Sequence, residues 1–217
     1  MAKEIGKSVP QPTIRRLPSY LQVLRNCQKK GRTNISSSYI AQQLQLEAIQ
    51  VRKDLSATGI TGQAGVGFSV TALISHIEDF LGWDNTRDAF LIGCGNLGSA
   101  LIGYEGFKAR GLNIIAGFDV DKDKVGKTIS GKLIFELEKL PDLVNRMHIK
   151  LGVLTVPPEV SQAVAEYAVK AGIKAIWNFT SVKLDLPEDI VVERVGLESS
   201  LAVLSSKLKE KLDNEKE

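Results

Sequence analysis

The pattern Gly93, Cys94, Gly95, Asn96, Leu97, Gly98 constrains this chain more than any other feature in it. A strand-like stretch at 88–92, apolar from Ala89, precedes the glycines, a helix-length stretch follows them, and 113–119 reads as a second strand ending in Asp119. In a strand–turn–helix–strand unit of this kind the first glycine allows a tight turn, and the second lets backbone approach a pyrophosphate. The third lets the helix pack on the strand. Unpaired N–H groups and the positive end of the helix dipole at 96–99 then face the phosphates. Asp119 lies 21 residues beyond Gly98, where a carboxylate can accept both ribose hydroxyls of NAD and repel the extra phosphate of NADP. Lys122 and Lys124, in the loop that follows, offer a rest for the adenosine edge.

The stretches after Asp119 extend the same architecture. Apolar runs at 149–156 and 173–180 read as buried strands, 159–171 as a helix between them, and 190–195 as a shorter strand. Strands alternating with helices predict right-handed crossovers and a parallel sheet. Ligands sit beyond the C-terminal strand ends, so Thr155, Val156 and Pro157, with Asn178, Phe179 and Thr180, should rim the cleft of the glycine turn. A final helix at 197–212 carries Leu197, Leu201, Leu204 and Leu208 on one stripe. With the sheet already complete, that stripe calls for a partner subunit.

Ahead of this unit the chain changes character. Residues 1–60 carry ten Lys/Arg against Glu4, Glu47 and Asp54, a local +7, whereas the remainder carries −4. Ile14, Leu17, Leu21, Leu24 and Cys27 mark one face of a helix interrupted by Pro18 and ended by Gly31. Ser36 or Ser37 can cap a short second helix with Tyr39, Ile40 and Leu44. A third helix at about 47–57 turns Ala48, Val51 and Leu55 inward and leaves Gln50, Arg52 and Lys53 outward. The glycines at 59–67 suit a tight two-stranded wing. Together these predict a winged helix-turn-helix of about 80 residues whose basic third helix suits DNA: Gln and Arg for base edges, Lys for phosphate. A small helical cap without a partner is the plainer alternative.

Other classes find little support. The chain has no apolar run near the ~20 residues of a membrane span, and residues 1–11 lack the apolar core of a signal peptide. Cys27 and Cys94 form no metal-ligand or disulfide pattern and suit a reducing cytoplasm. Cys94 could be a reactive thiol at a helix N-terminus, or only a small residue where a large one would not fit. His76 and His148 are far apart in sequence, and no nucleophile–base set stands out.

Nearly the whole chain resembles the Rex family of redox-sensing transcriptional repressors. The resemblance rests on 15–21 (RRLPSYL), 50–56 (QVRKDLS), 65–70 (GVGFSV), 93–101 (GCGNLGSAL), 117–121 (GFDVD), 154–157 (LTVP) and 171–179 (AGIKAIWNF). It implies an α/β architecture in three parts. These are a winged-helix DNA-binding domain (1–84), a Rossmann-type dinucleotide-binding domain (85–196) and a C-terminal helix (197–217) exchanged between subunits of a homodimer. It further implies a cytoplasmic regulator, not an enzyme, whose winged helices hold operator DNA under NAD+ and release it under NADH. Family DNA contacts map onto Arg16, Gln50, Arg52 and Lys53, with Ser37 and Tyr39 at the second helix. Nucleotide contacts map onto Gly93, Cys94, Gly95, Asn96, Leu97, Gly98, Asp119, Lys124, Thr155, Val156, Pro157, Asn178, Phe179 and Thr180. Tyr104, placed within the first Rossmann helix, matches the family tyrosine near the nicotinamide.

Some positions depart from that pattern. Gly196 stands where the family usually has an aspartate that pairs with the Arg16 position or with the tyrosine. Gln63 and Ala64 replace a basic residue of the wing, Ala57 and Thr58 an aromatic pair, and Phe68 a tyrosine. Two alternatives therefore stay open: a diverged relative binding NAD or a coenzyme A derivative with weakened redox sensing, and a small NAD-dependent oxidoreductase.

Overall fold

The computed structural model describes residues 9–83 and 87–215, and the chain divides into two compact units, Met1–Asn85 and Thr86–Glu217. The 84/85 boundary expected from sequence lies outside the described residues.

In the first unit, α1 (Gln11–Lys29) runs uninterrupted through Pro18 and buries Leu17, Leu21, Leu24 and Cys27. Ile14 departs from the expected stripe: it is exposed, and Thr13 is buried in its place. β1 (Asn34–Ile35) leads into α2 (Ser37–Leu44), where Ser36 Oγ accepts the Tyr39 N–H at 3.1 Å as N-cap. The chain turns at Gln45, which adopts left-handed φ of 54°, and enters α3 (Ala48–Ala57) after only Leu46 and Glu47. This is a helix-turn-helix. β2 (Phe68–Ser69) pairs with β1, a single bridge joins Gln63 to Gly67, and α4 (Val70–Leu81) closes the unit. The wing is thus a tight loop on one short ladder. Leu17, Leu24, Ile40, Val51, Leu55, Leu73 and Ile77 are wholly buried, each contributing roughly 1.5–3 kcal/mol.

The second unit is a seven-stranded sheet in the order β5-β6-β4-β3-β7-β8-β9. Its strands are β3 (Arg87–Ile92), β4 (Leu112–Asp119), β5 (Thr128–Ile129), β6 (Lys132–Glu136), β7 (Leu151–Leu154), β8 (Ala175–Asn178) and β9 (Val191–Arg194). All pairs are parallel except the β5–β6 hairpin. The helices are α5 (Asn96–Ile102), α6 (Leu140–Met147), α7 (Pro158–Ala171) and α8 (Leu197–Asn214). From β3 the chain adds strands outward to one side through β4 and β6, then returns to β7 and builds the other side. The order therefore reverses between β3 and β7, where open α/β sheets bind ligands. Inside the core Phe90 and Phe118 pack edge to face at 4.9 Å.

Two local features differ from the sequence reading. The segment 127–148, for which the sequence predicts no element, forms the β5–β6 hairpin and α6. Tyr104 lies outside the first Rossmann helix: α5 ends at Ile102, Gly103 follows, and Tyr104 begins a 3-10 turn at Glu105–Arg110.

Candidate functional site

The glycine turn and the end of β7 are built against each other. Gly93 takes φ of +95°, and a Cβ there would meet Val156 Cγ1 at 2.8 Å and the Thr155 carbonyl. The Thr155 hydroxyl donates to the Gly93 carbonyl at 2.6 Å, and the Thr155 N–H donates to Ile92 O at 2.9 Å. Gly98 packs directly on that carbonyl, with no room for a Cβ. Gly95 differs: nothing lies within 4 Å of where its Cβ would be. That face of the turn is open, and the first N–H groups of α5, at Asn96, Leu97 and Gly98, have no partner within the helix. Two glycines close the junction and one leaves a cradle of the kind a diphosphate fills.

Asp119 is fixed beside this cradle. Its Oδ2 accepts the Cys94 N–H at 2.7 Å and its Oδ1 accepts the Asp121 N–H at 2.9 Å. Lys124 Nζ lies 3.5 Å from Asp119 and 3.1 Å from Asp121, whose bond raises the Lys124 pKa above its ordinary value. The carboxylate is held by backbone and keeps lone pairs for a diol. Cys94 contributes its N–H and its small size, and its thiol is 1 % exposed. Burial, then the charge of Asp119, pushes that thiol up to about 12, so it is not a reactive group.

The end of β8 joins the same rim, since the Phe179 N–H donates to Leu154 O. Asn178 itself is fully buried: its amide donates to Val182 O and accepts the Thr180 N–H at 2.9 Å, so it shapes the rim and does not face outward. Thr180 is also buried, whereas Pro157, Asn96 and Leu97 are exposed. Tyr104 is exposed and begins an edge-to-face chain of rings, Tyr104–Phe107–Trp177–Phe179, with centroids 4.7–5.2 Å apart.

In the first unit, Arg52 and Lys53 stand exposed on α3, one face with Ile49 and Ser56, and neither forms an ion pair among the described residues. Arg52 lines a recess of about 570 Å³ with Ser36, the largely buried Ser37 and the wing residues Gln63–Phe68. Tyr39 is half-buried on α2.

Gln50 is placed differently from the outward position expected, and Arg16 shares its partner. Both are turned onto Asp54, for which the sequence predicts no role beyond its charge. Its carboxylate accepts Arg16 Nε at 2.6 Å, Arg16 Nη2 at 2.8 Å, Tyr20 OH at 2.6 Å, Thr13 Oγ1 at 2.8 Å and Gln50 Nε2 at 2.9 Å. Burial pushes the Asp54 pKa up, but the bonds from Arg16, Tyr20, Thr13 and Gln50 outweigh it and hold it at about 2. Thr13 is buried to reach this carboxylate. The network joins α1 to the recognition helix.

Neither histidine is placed as a base: His76 Nε2 lies 2.9 Å from Thr58 O, and His148 ends α6. Among the described residues no three His, Cys, Asp or Glu are grouped to hold a metal, and no helix is long and apolar enough to cross a membrane.

Fold and site together define a two-part protein, a winged helix-turn-helix unit and a Rossmann-type nucleotide-binding unit. Family models for a CoA binding domain and for a putative DNA-binding protein N-terminus match residues 84–182 and 8–56. The chain is 46 % identical to the redox-sensing transcriptional repressor Rex of Treponema denticola over 94 % of its length and 96 % of that protein's. It is 43 % identical to Rex of Bacteroides fragilis over 92 % and 91 %. The Rex-family repressor RSP, solved with beta-NAD+ and operator DNA, superposes with a TM-score of 0.89 at 35 % identity, covering 97 % of both chains. RSP with beta-NADH gives 0.86 at 34 %, covering 97 % of this chain and 99 % of that one. The chain belongs to the Rex family of redox-sensing transcriptional repressors.

Proposed function

We propose that this protein is a cytoplasmic transcriptional repressor that binds operator DNA through α3 and the wing, and whose DNA binding is relieved as NADH fills the cleft at the β3/β7 switch point. The observation that carries the reading is the cradle: an open turn at Gly95 beside a carboxylate already oriented by the Cys94 N–H. Asp119 favours NAD(H) over NADP(H) by repelling a 2′-phosphate. RSP, its structural relative, is known with beta-NAD+ and operator DNA and with beta-NADH. On α3, Arg52 suits base edges, Lys53 phosphate, and the exposed Ile49 a thymine methyl. The test is binding to a palindromic operator-like duplex at fixed salt, titrated with NADH, NAD+ or neither. Release by NADH alone supports the reading, and indifference to both nucleotides overturns the redox part of it.

Lys53→Glu separates the two activities. It should weaken duplex binding by about fivefold or more, since a lost charged contact costs ~1–3 kcal/mol, with NADH affinity unchanged by fluorescence titration. Equal duplex binding by this variant would remove α3 from the interface.

The protein works as a homodimer through α8. Leu197, Leu201, Leu204 and Leu208 are 53–63 % exposed along it and no residue of α8 is buried. An uncovered leucine stripe of this length marks an interface. Leu201→Glu with Leu204→Glu should give a monomer by sedimentation velocity and weaken operator binding. A dimer that survives would place the interface elsewhere.

A second reading, weakened redox discrimination, is favoured by Gly196. It is the N-cap of α8, and a Cβ there would meet only the movable Ser199 side chain. Gly196→Asp should therefore fold, cap α8 and sharpen the difference in DNA release between NADH and NAD+. An unchanged ratio would mean that the acid is not needed here.

A further inference from the structure

We propose that Lys29, Lys30 and Arg32 form a second phosphate-contacting ridge, which seats the operator backbone along α2 beside the recognition helix. The inference rests on the DNA-binding reading above and extends it to a surface outside α3 and the wing. Between Glu4 and Glu47 the chain has no acidic residue, so every charge from the start of α1 to the end of α2 is cationic. Two of these cations are neutralised from elsewhere: Arg16 by Asp54, and Arg25 by Glu78 at 2.6 Å. Lys29, Lys30 and Arg32 have no ion-pair partner among the described residues. They cluster where α1 ends.

Geometry gives the cluster a shape. The Arg32 guanidinium lies over the Tyr39 ring, 4.4 Å from its centroid, a stack that orders a side chain otherwise free in solvent. Lys29 and Lys30 line a recess of about 320 Å³ with Asn26, Tyr39 and Gln43, whose amide and hydroxyl groups suit phosphate oxygens. Tyr39 and Gln43 of α2 line this recess, whereas the one lined by Arg52 takes in Ser36 and Ser37 at the start of that helix. In helix-turn-helix proteins the helix before the recognition helix crosses the sugar–phosphate backbone. A basic ridge on the far flank of that helix meets phosphates and no base edges.

The prediction is a change in salt dependence without a change in sequence preference. Each phosphate contact removed should lower the slope of log K against log salt by about 0.9. The variant Lys29→Ala/Lys30→Ala/Arg32→Ala should therefore lose about 40-fold less affinity than the parent, per bound protomer, over a fourfold salt increase. Its preference for operator over scrambled duplex should be unchanged, whereas Arg52→Ala should lower that preference. Arg32→Lys, which keeps charge and loses the stack, should fall between. An unaltered slope and affinity in the triple variant, with Arg52→Ala still impaired, would overturn the ridge and leave the DNA-binding reading intact. No duplex binding by the parent chain would overturn both. A changed operator preference in the triple variant would show base contact and also overturn the proposal. Circular dichroism on each variant separates these results from misfolding.

Discussion

Asp54→Ala is expected to lower the melting temperature of the helix-turn-helix unit by more than about 10 °C and to abolish duplex binding with it. The carboxylate is 1 % exposed and ties Thr13, Arg16 and Tyr20 on α1 to Gln50 on its own helix. Removing it strands the buried Thr13 and Tyr20 hydroxyls and leaves Arg16 uncompensated. Breaking a buried pair on one side costs about 3–5 kcal/mol, and because Arg16 is 28 % exposed the lower end applies. Tyr20→Phe removes one donor from the set and should cost about 1 kcal/mol. Trp83, packed on this unit's core, reports the transition in a Trp177→Phe background. A melting temperature within 2 °C or so of the parent's would show that the network does not hold α3 in place.

The same carboxylate sets an acid limit. Its folded pKa of about 2 lies below the ordinary value of 3.8, so its contribution is complete above about pH 4 and is lost as pH falls toward 2. About 2 kcal/mol should disappear across that window. In Asp54→Asn that share of the acid dependence should be missing, and urea titrations at pH 5, 4, 3 and 2 would reveal it.

Asp54 also marks what the sequence could not disclose. An aspartate between Lys53 and Leu55 reads as a solvated charge, and its partners on α1 are 34–41 residues away. The spacing 13, 16, 20 puts Thr13, Arg16 and Tyr20 on one helix face, but nothing local announces that Asp54 is what they meet there. The same network explains why Gln50, expected outward, is turned inward, and why Arg16 meets an acid within its own unit. The β5–β6 hairpin was hidden for another reason: Thr128–Ile129 and Lys132–Glu136 are too short to show a period, so the Ser130-Gly131 turn between them, at φ of 51° and 76°, has no flanking alternation to mark it. By contrast the turn at 93–98 was legible because each of its constraints falls on a single residue. A serine cap at Ser36 or Ser37 was legible, and α8 as a leucine stripe, because both signals repeat or terminate locally. Tyr104 was misplaced because helix length past a glycine turn is set by Gly103 and the ring packing beyond it, not by apolar period.

Gly98→Ala and Gly95→Ala should separate closing the nucleotide cradle from filling it. At Gly98 a methyl group would collide with the Gly93 carbonyl and lie 2.9 Å from Thr155 Oγ1, two atoms already joined by a 2.6 Å hydrogen bond. Backbone must move to admit it. Overpacking of this kind costs about 1–3 kcal/mol, and the displaced turn carries the N–H groups meant for phosphate. Gly98→Ala should therefore lower both the stability of the α/β unit and NADH affinity, the latter by on the order of 100-fold if two charged hydrogen bonds are lost. Gly95 has a φ of −70° that any residue can adopt and open space where its Cβ would stand. Gly95→Ala should leave the melting temperature within about 2 °C of the parent and still weaken NADH binding, because the methyl group occupies the approach of the diphosphate. Calorimetric titration with NADH and a thermal scan on the same samples decide the matter. Unchanged NADH affinity in Gly95→Ala would mean that the diphosphate does not lie on that face of the turn. A destabilised Gly95→Ala would mean that the space is not open in solution.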